Sequence, residues 1–261
     1  MKLMDPSKLV DWLPPHSIAW YQQLSDSVGK YVYPWNSTLK EPNGESIFER
    51  DVAQMIVNKK VLDVGCGHGE FTIKCSDTAK EIVGFDITDH FVQVGQDLAN
   101  RKPNVKFIAG NSKDGLPFKR DEFDCAYIRK GPTSAYPFLK AVVKKDGSII
   151  GLHPGDDSGK ELAMLFPNLF EQVKGTPILD TIEKRLASSH FSSTSLENVT
   201  SIEFIKTPID LIKLRCFGQK IAIYETTKEK NLSIVEKIFE RNATDDGLPI
   251  TFSRYLVRIS V

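Results

Sequence analysis

The chain has 261 residues, 41% of them hydrophobic, and a formal net charge of +0. This size allows one α/β domain with insertions and a full core, and the neutral charge gives no electrostatic case for nucleic acid or an anionic membrane. No apolar run approaches the roughly 20 residues that span a bilayer, and residues 1–6 lack the basic and apolar regions of a signal peptide. We therefore expect a soluble, cytoplasmic protein.

Residues 1–58 precede the first predicted strand of a sheet and are rich in aromatic side chains. Apolar residues that share one face predict a helix over residues 45–57. Before it, residues 31–38 read as a polar and aromatic loop. Aromatic rings can attract a cation, although plain packing of the N-terminal helices is the alternative for a group this dense.

Residues 61–69 read Val-Leu-Asp-Val-Gly-Cys-Gly-His-Gly, an apolar strand that ends in an acid and a glycine turn. Such a turn lets the backbone approach a ligand and adopt positive φ without a steric penalty. The dinucleotide fingerprint requires a glycine or alanine three places after its second glycine. Glu70 occupies that place, so this cofactor class is excluded.

Four further apolar runs follow the first strand, and each ends in polar or glycine-rich residues. They cover residues 80–87, 105–112, 123–128 and 147–152. Asp86 lies at the end of the first of these runs, 23 residues after Asp63, close to the spacing at which an acid binds ribose hydroxyls in doubly wound sheets. Together the five strands predict a parallel sheet with ligands at its carboxyl edge.

The second half of the chain is less regular. Helices are predicted over residues 157–173 with a break at Pro167, and then over 179–188, 208–217 and 232–241. Alternation of polar and apolar residues predicts a strand over residues 199–205, and a strong β run closes the chain at 250–260. Arginines in that final run suit an outer, antiparallel strand.

The pattern Asp-x-Gly-x-Gly-x-Gly from Asp63 to Gly69, with Asp86 after the next strand, resembles motif I of the class I S-adenosylmethionine-dependent methyltransferases. The resemblance is specific for roughly residues 59–154 and extends to 199–261 only in the order of elements. It implies an α/β fold with a seven-stranded, mostly parallel Rossmann-like sheet, helices on both faces and an antiparallel final strand.

The resemblance also implies a division of the chain. Residues 59–261 are predicted to form the methyltransferase domain, with a substrate-side insertion at about 155–198. Residues 1–58 are predicted to be a helical and aromatic lid, because the segment before motif I often folds over cofactor and substrate in this family. Tyr33 in that segment is a candidate substrate contact.

S-adenosylmethionine is the cofactor that the resemblance implies. Asp63 would accept from its amino group, the glycine turn would approach its carboxylate, and Asp86 would bind both ribose hydroxyls. For each of these residues the alternative is a capped turn, a solvated strand end or ordinary packing. The full set of predicted cofactor contacts is Asp63, Gly65, Cys66, Gly67, Asp86, Ile87, Asn111, Ser112 and Arg129. At Asn111 an amide replaces the acid that the family usually places near the adenine.

Arg129 and Lys130 follow the fourth strand, where amino-methylating members carry Asn/Asp-Pro-Pro-Tyr, a motif that is absent here. Two cations at this position predict contact with a carboxylate or phosphate of the acceptor or of the cofactor, and a solvated basic turn is the alternative. His153, after the fifth strand, is a candidate substrate contact and general base, or a hydrogen-bonded loop residue.

Methyl transfer is an in-line displacement that needs a positioned nucleophile and the exclusion of water, so no motif has to mark a catalytic residue and none is assigned. We predict an S-adenosylmethionine-dependent methyltransferase that acts on a small molecule. A ribosomal RNA base methyltransferase is one alternative, suggested by residues 209–218 and disfavoured by the net charge. A non-catalytic regulatory protein that binds the cofactor is another.

The four cysteines lack metal-ligand spacing, which predicts reduced thiols and no metal.

Overall fold

The computed structural model describes residues 2–261, which divide into two compact units. The first unit holds residues up to 43, 157–175 and 200–253, and the second holds 44–156, 176–199 and 254–261. The strands are β1 (Ser37–Leu39), β2 (Lys60–Val64), β3 (Glu81–Asp86), β4 (Val105–Ala109), β5 (Phe123–Arg129), β6 (Val143–Pro154), β7 (Ser193–Ile205) and β8 (Leu248–Ser260). The α-helices are α1 (Ile18–Val28), α2 (Gly44–Met55), α3 (Glu70–Cys75), α4 (Asp89–Leu98), α5 (Tyr136–Val142), α6 (Lys160–Leu165), α7 (Pro177–Ser189), α8 (Pro208–Arg215) and α9 (Ile221–Asn242).

The sheet has the strand order β1-β7-β8-β6-β5-β2-β3-β4. Strands β6, β5, β2, β3 and β4 pair in parallel, whereas β8 pairs antiparallel to β6. The predicted α/β class, the mostly parallel sheet and the antiparallel final strand are confirmed. The described residues form eight strands, one more than predicted, because β1 begins within the predicted aromatic loop and pairs antiparallel with residues 203–205 of β7.

Helices cover both faces of the sheet in the second unit, because successive strand residues point to opposite sides. In β2, Leu62 and Val64 join a buried cluster with residues of α5 and α7, such as Leu139 and Ile182. Val61 joins the opposite cluster with residues of α2, α3 and α4. The central strands are buried on both faces and therefore read as continuous apolar runs.

The ring of Phe107 in β4 occupies space that three glycines leave open. A Cβ placed on Gly69, Gly84 or Gly95 would lie 2.5, 2.6 or 2.9 Å from an atom of this ring. The three glycines belong to the turn after β2, to β3 and to α4. The third glycine of the sequence motif therefore permits close packing of helix, strand and ring, and any side chain there would displace Phe107.

The first unit has its own buried cluster, which contains residues of α6, α8 and α9 with the ends of β7 and β8. Helix α9 has 22 residues and is longer than predicted. Its buried stripe includes Thr227 and Asn231, and Asn231 exchanges hydrogen bonds with the backbone of Met4 at 2.7 and 3.1 Å. Polar residues on the buried face of α9 interrupt the apolar periodicity that would predict its full length from the sequence.

In residues 2–261 no helix is both long and apolar enough to cross a membrane.

Truncation of the ring that the glycines surround tests this packing. We expect Phe107→Ala to lower the free energy of unfolding by about 3–5 kcal/mol, because it removes a buried ring and leaves a cavity bordered by glycines that cannot fill it. Urea unfolding followed by circular dichroism measures the change. Ile108→Ala is the matched control, because Ile108 is the next residue of β4 and is partly exposed, and we expect a loss below about 1 kcal/mol. Equal losses in both variants would contradict this account of the glycines.

Candidate functional site

The turn after β2 is held from two sides. The backbone N–H groups of Gly65 and Cys66 donate to the carbonyl oxygen of Phe85 at 2.7 and 3.3 Å, which fixes the turn to β3. On its other side, a Cβ on Gly65 would lie 2.8 Å from the Cα of Gly131, in the turn after β5. The turn after β2 therefore lies at the carboxyl edge of the sheet, between the ends of β3 and β5. Ligands of α/β sheets bind at this edge, at the topological switch point.

Gly67 differs from the other glycines of the turn. Its φ is +56°, and a Cβ built on it would meet no atom of residues 2–261 within 4 Å. Its N–H donates to Oδ2 of Asp86 at 2.9 Å. The backbone of Gly67 therefore faces open space beside the Asp86 carboxylate. A ligand can approach such a backbone closely, because no side chain stands in the way.

Asp63 is a buried acid with an incomplete set of hydrogen bonds. Its Oδ2 accepts from the hydroxyls of Thr72 at 2.6 Å and Tyr127 at 2.8 Å. Its Oδ1 is buried and has no hydrogen-bond partner among the described residues. Burial raises the pKa of Asp63 to about 7, against the lowering effect of these two hydroxyls and the charge of Arg129. An acceptor left open in this way fits a donor from a bound molecule, such as an ammonium group.

Asp86 ends β3 and orders the backbone on both sides of it. Its Oδ1 accepts from the Thr88 N–H and its Oδ2 from the Gly67 N–H, each at 2.9 Å. Burial raises the pKa of its carboxyl, and these backbone hydrogen bonds act in the opposite direction. The Thr88 hydroxyl and the Ile87 N–H also lower the pKa of this carboxyl. Ile87 follows as a half-exposed apolar side chain.

Cys66, Asn111 and Ser112, the remaining predicted cofactor contacts in these turns, each have a hydrogen-bond partner within the chain. The Cys66 thiol donates to the Gly67 carbonyl oxygen at 3.6 Å, and burial raises its pKa. Oδ1 of Asn111 accepts from the Lys113 N–H at 3.0 Å, and the buried Ser112 hydroxyl lies 2.6 Å from that of Ser134. Their contact with a cofactor stays a prediction.

Arg129 and Lys130 contact acids of α2 that the sequence reasoning did not single out. Nη2 of Arg129 lies 2.8 Å from Glu49 and 3.4 Å from Glu45, and its guanidinium stands 4.6 Å from the centre of the Phe71 ring. Lys130 adopts φ +58°, and its Nζ lies 3.3 Å from Glu45. The spacing of four between the two glutamates places them on one helix face, but the sequence does not show what that face meets.

His153 is buried within β6, and its Nε2 lies 2.7 Å from the hydroxyl of Tyr136. Burial lowers the pKa of His153 to about 3, so the ring is neutral near pH 7 and a weak proton acceptor. Tyr33 belongs to the first unit, where its ring stacks on Trp35 with centroids 4.4 Å apart. Contact of His153 or Tyr33 with a substrate stays a prediction.

Thr72 and Tyr127, the two partners of Asp63, were missed from the sequence. Tyr127 lies directly opposite Asp63 in the parallel pairing of β2 and β5. A hydroxyl-bearing residue inside an otherwise apolar buried strand is the signal that marks Tyr127, since a buried Tyr usually needs a partner.

In residues 2–261 no group of three or more His, Cys, Asp or Glu side chains is placed to hold a metal ion.

Comparisons with known proteins agree with this geometry. A family profile described as a methyltransferase domain matches residues 61–145. Demethylmenaquinone methyltransferase from Staphylococcus aureus is 31% identical over 102 residues, which cover 36% of this chain and 42% of that relative. The chain therefore matches less than half the length of this curated relative.

Two solved structures show the same fold at low sequence identity. A protein of unknown function from Deinococcus radiodurans R1 superposes with a TM-score of 0.61 at 18% identity, covering 93% of this chain and 97% of its own. A geranyl diphosphate methyltransferase, in complex with GPP and sinefungin, gives 0.52 at 12% identity, covering 93% and 97%. Likeness at this level establishes architecture and not activity.

The strand order, the glycine turn and the two acids define a class I methyltransferase domain, the class whose cofactor is S-adenosylmethionine. Residues 61–145 match the methyltransferase-domain profile, in agreement with the resemblance that the sequence motif predicted. The subfamily is not identified.

Titration of the buried acid gives a test of its environment. The folded chain retains the Asp63 proton up to about pH 7, whereas the unfolded chain loses it near pH 4. A raised carboxyl pKa stabilises the fold at low pH, and this contribution is lost as the pH rises through 7. We expect the free energy of unfolding of the wild type, relative to Asp63→Asn, to fall by about 2 kcal/mol from pH 5.5 to 8.0.

Urea unfolding of both proteins at the two pH values measures this difference. Asp114→Asn, at an exposed turn position, is the control, and we expect its pH dependence to match that of the wild type. Parallel pH profiles for the wild type and Asp63→Asn would show that Asp63 is ionised throughout this range.

Proposed function

We propose that this protein is an enzyme that transfers a methyl group from S-adenosylmethionine to a small-molecule acceptor. The observation that carries the proposal is the arrangement of Asp63, Gly67 and Asp86 at one edge of the sheet. A buried acceptor atom has no partner among residues 2–261, a glycine faces open space, and a carboxylate is anchored beside it. These are the features needed to hold an amino acid group and a ribose together.

Each part of the cofactor has a proposed partner in this chain. Oδ1 of Asp63 would accept a hydrogen bond from the ammonium group, which would satisfy the buried oxygen and favour the ionised carboxylate. Gly67, with Gly65, would let the methionine portion approach the backbone. Asp86 would accept from the two ribose hydroxyls, and Ile87 would lie against the adenine, near Asn111 and Ser112.

When bound, S-adenosylmethionine supplies an electrophilic methyl group on a positively charged sulfur. The contribution of the protein is to place the acceptor nucleophile about 3 Å from this methyl and to keep water out. We assign no general base, because the pKa of His153 makes it a poor one at neutral pH. This absence of an assigned base suits acceptors that carry their own nucleophilic electron pair or are already ionised.

The acceptor class rests on two supporting facts. The net charge of +0 favours a small molecule over RNA, which requires many cationic phosphate contacts. The curated relative is named for a methyltransferase that acts on demethylmenaquinone, itself a small molecule, although the match spans less than half of that protein.

We further propose that residues 59–261 form the catalytic domain, with an insertion at about 155–198, and that residues 1–58 act as the lid.

Calorimetric titration tests the cofactor assignment. We expect S-adenosylmethionine and S-adenosylhomocysteine to bind with micromolar Kd and NAD to give no heat, because the glycine spacing excludes the dinucleotide class. Failure of both methionine derivatives to bind would overturn the proposal. Tight binding without methyl transfer to any small molecule in an acceptor screen would support a regulatory protein. Transfer to ribosomal RNA would support the nucleic-acid alternative.

The ribose contact has a separate test. We expect Asp86→Ala to raise the Kd for S-adenosylhomocysteine roughly 10- to 150-fold, since charge-assisted hydrogen bonds contribute about 1.5–3 kcal/mol. Asp89→Ala, three residues later on the exposed start of α4, is the matched control and should bind within about twofold of the wild type. Circular dichroism confirms folding of each variant. Unchanged affinity in folded Asp86→Ala would remove Asp86 from the site.

A further inference from the structure

Two buried hydroxyls meet the same oxygen of the Asp63 carboxylate. Thr72, near the start of α3, and Tyr127, in β5, donate to Oδ2 at 2.6 and 2.8 Å. Both side chains are fully buried, and Asp63 is 2% exposed. The other oxygen, Oδ1, has no hydrogen-bond partner among residues 2–261. A proton or a ligand that binds this carboxylate is therefore directed to Oδ1.

Packing fixes the position of the Tyr127 hydroxyl. Its ring lies edge-on to those of Phe71 and Phe48, with centroids 5.5 and 6.2 Å apart. Its backbone is the direct partner of Asp63 in the pairing of β2 with β5. A ring enclosed in this way does not turn away from the carboxylate, so the hydroxyl keeps Oδ2 occupied and leaves Oδ1 for another group.

The proton on Asp63 depends on a balance between burial and neighbouring groups. Burial raises the pKa of its carboxyl to about 7, whereas the hydroxyls of Thr72 and Tyr127 and the charge of Arg129 lower it, because they favour the ionised form. The charge of Asp86, at the end of β3, raises it. Burial also raises the pKa of the Tyr127 hydroxyl and of two nearby thiols, so all three are uncharged near pH 7. These thiols are Cys66 in the glycine turn and Cys75 in α3.

We propose that Thr72 and Tyr127 are positioning residues that act through Asp63, and that the cofactor amine displaces a proton from Oδ1 when it binds. This inference rests on the proposed function. In mildly acidic solution the free protein carries this proton, and the free ligand carries an ammonium group. Binding pairs the ammonium with the carboxylate, so the proton passes from Asp63 to the solvent. Proton and ammonium compete for one oxygen, and affinity therefore falls as the pH falls through 7.

Calorimetric titration with S-adenosylhomocysteine at pH 6.0, in two buffers of different ionisation enthalpy, measures the protons released on binding. We expect the wild type to release about 0.9 proton per molecule bound, since a carboxyl of pKa about 7 is mostly protonated at this pH. We expect a release close to zero for Asp63→Asn. Equal release from both proteins would assign the proton to another group, such as Asp86, and would overturn the inference.

Tyr127→Phe keeps the buried ring and removes one donor from the carboxylate. We expect the pH profile of the Kd for S-adenosylhomocysteine to move up by about one pH unit, because the ionised form loses a hydrogen bond. Relative to the wild type, the Kd then rises roughly tenfold at pH 6.0 and about twofold at pH 8.0. Thr72→Val should move the profile in the same direction. Circular dichroism confirms that each variant folds.

Tyr255→Phe is the matched control. Tyr255 is buried in β8, which two strands separate from β2, and its hydroxyl donates to a different carboxylate, that of Asp156, at 3.0 Å. The substitution removes a comparable hydrogen bond from another acid. We expect the Kd to stay within about twofold of the wild type at both pH values, because distant sites act independently.

Binding by the wild type without proton release at pH 6.0 would overturn this inference and leave the proposed function intact. An equal rise in Kd at pH 6.0 and pH 8.0 in Tyr127→Phe would also overturn it, since the hydroxyl would then have a structural role alone. Failure of the wild type to bind S-adenosylhomocysteine at either pH would overturn the proposed function itself.

Discussion

The close approach of two backbone turns is the constraint on which the site depends. Gly65 after β2 lies against Gly131 and Pro132 after β5, and no side chain fits between them. This contact holds the carboxyl ends of adjacent parallel strands together and brings Asp63 opposite Tyr127. It also fixes the position of Arg129 and Lys130, which directly precede Gly131. The same contact therefore positions both the glycine turn and these two cations.

Burial of acids gives the site its chemical character. Asp63 lies inside the protein with one oxygen bonded to two hydroxyls and the other without a partner among the described residues. In the absence of a ligand this arrangement is unfavourable, which is why the pKa of the carboxyl rises. A cationic ligand group would relieve that cost, so part of the stability that the fold gives up here would be recovered on binding.

Much of the fold could be predicted from the sequence, because the central strands are buried on both faces and each ends in a distinctive acid or glycine. The motif from Asp63 to Gly69 also predicted the resemblance to methyltransferases, with which the profile match over residues 61–145 agrees. Other features could not be predicted because they depend on which surfaces meet. Examples are Thr72 and Tyr127 as partners of Asp63, and Glu45 as the acid that Arg254 contacts. Helix α9 was underestimated because Asn231 on its buried stripe bonds to distant backbone.

The ring of Phe107 has a consequence for how this sequence can change over time. Gly69, Gly84 and Gly95 lie in different segments, yet each is constrained by the same six-membered ring. A mutation to alanine at any one of them would be accepted more readily in a chain whose residue 107 is already smaller. Substitutions at these four positions should therefore be correlated among related sequences, and the order in which they accumulate should place the loss of the ring first.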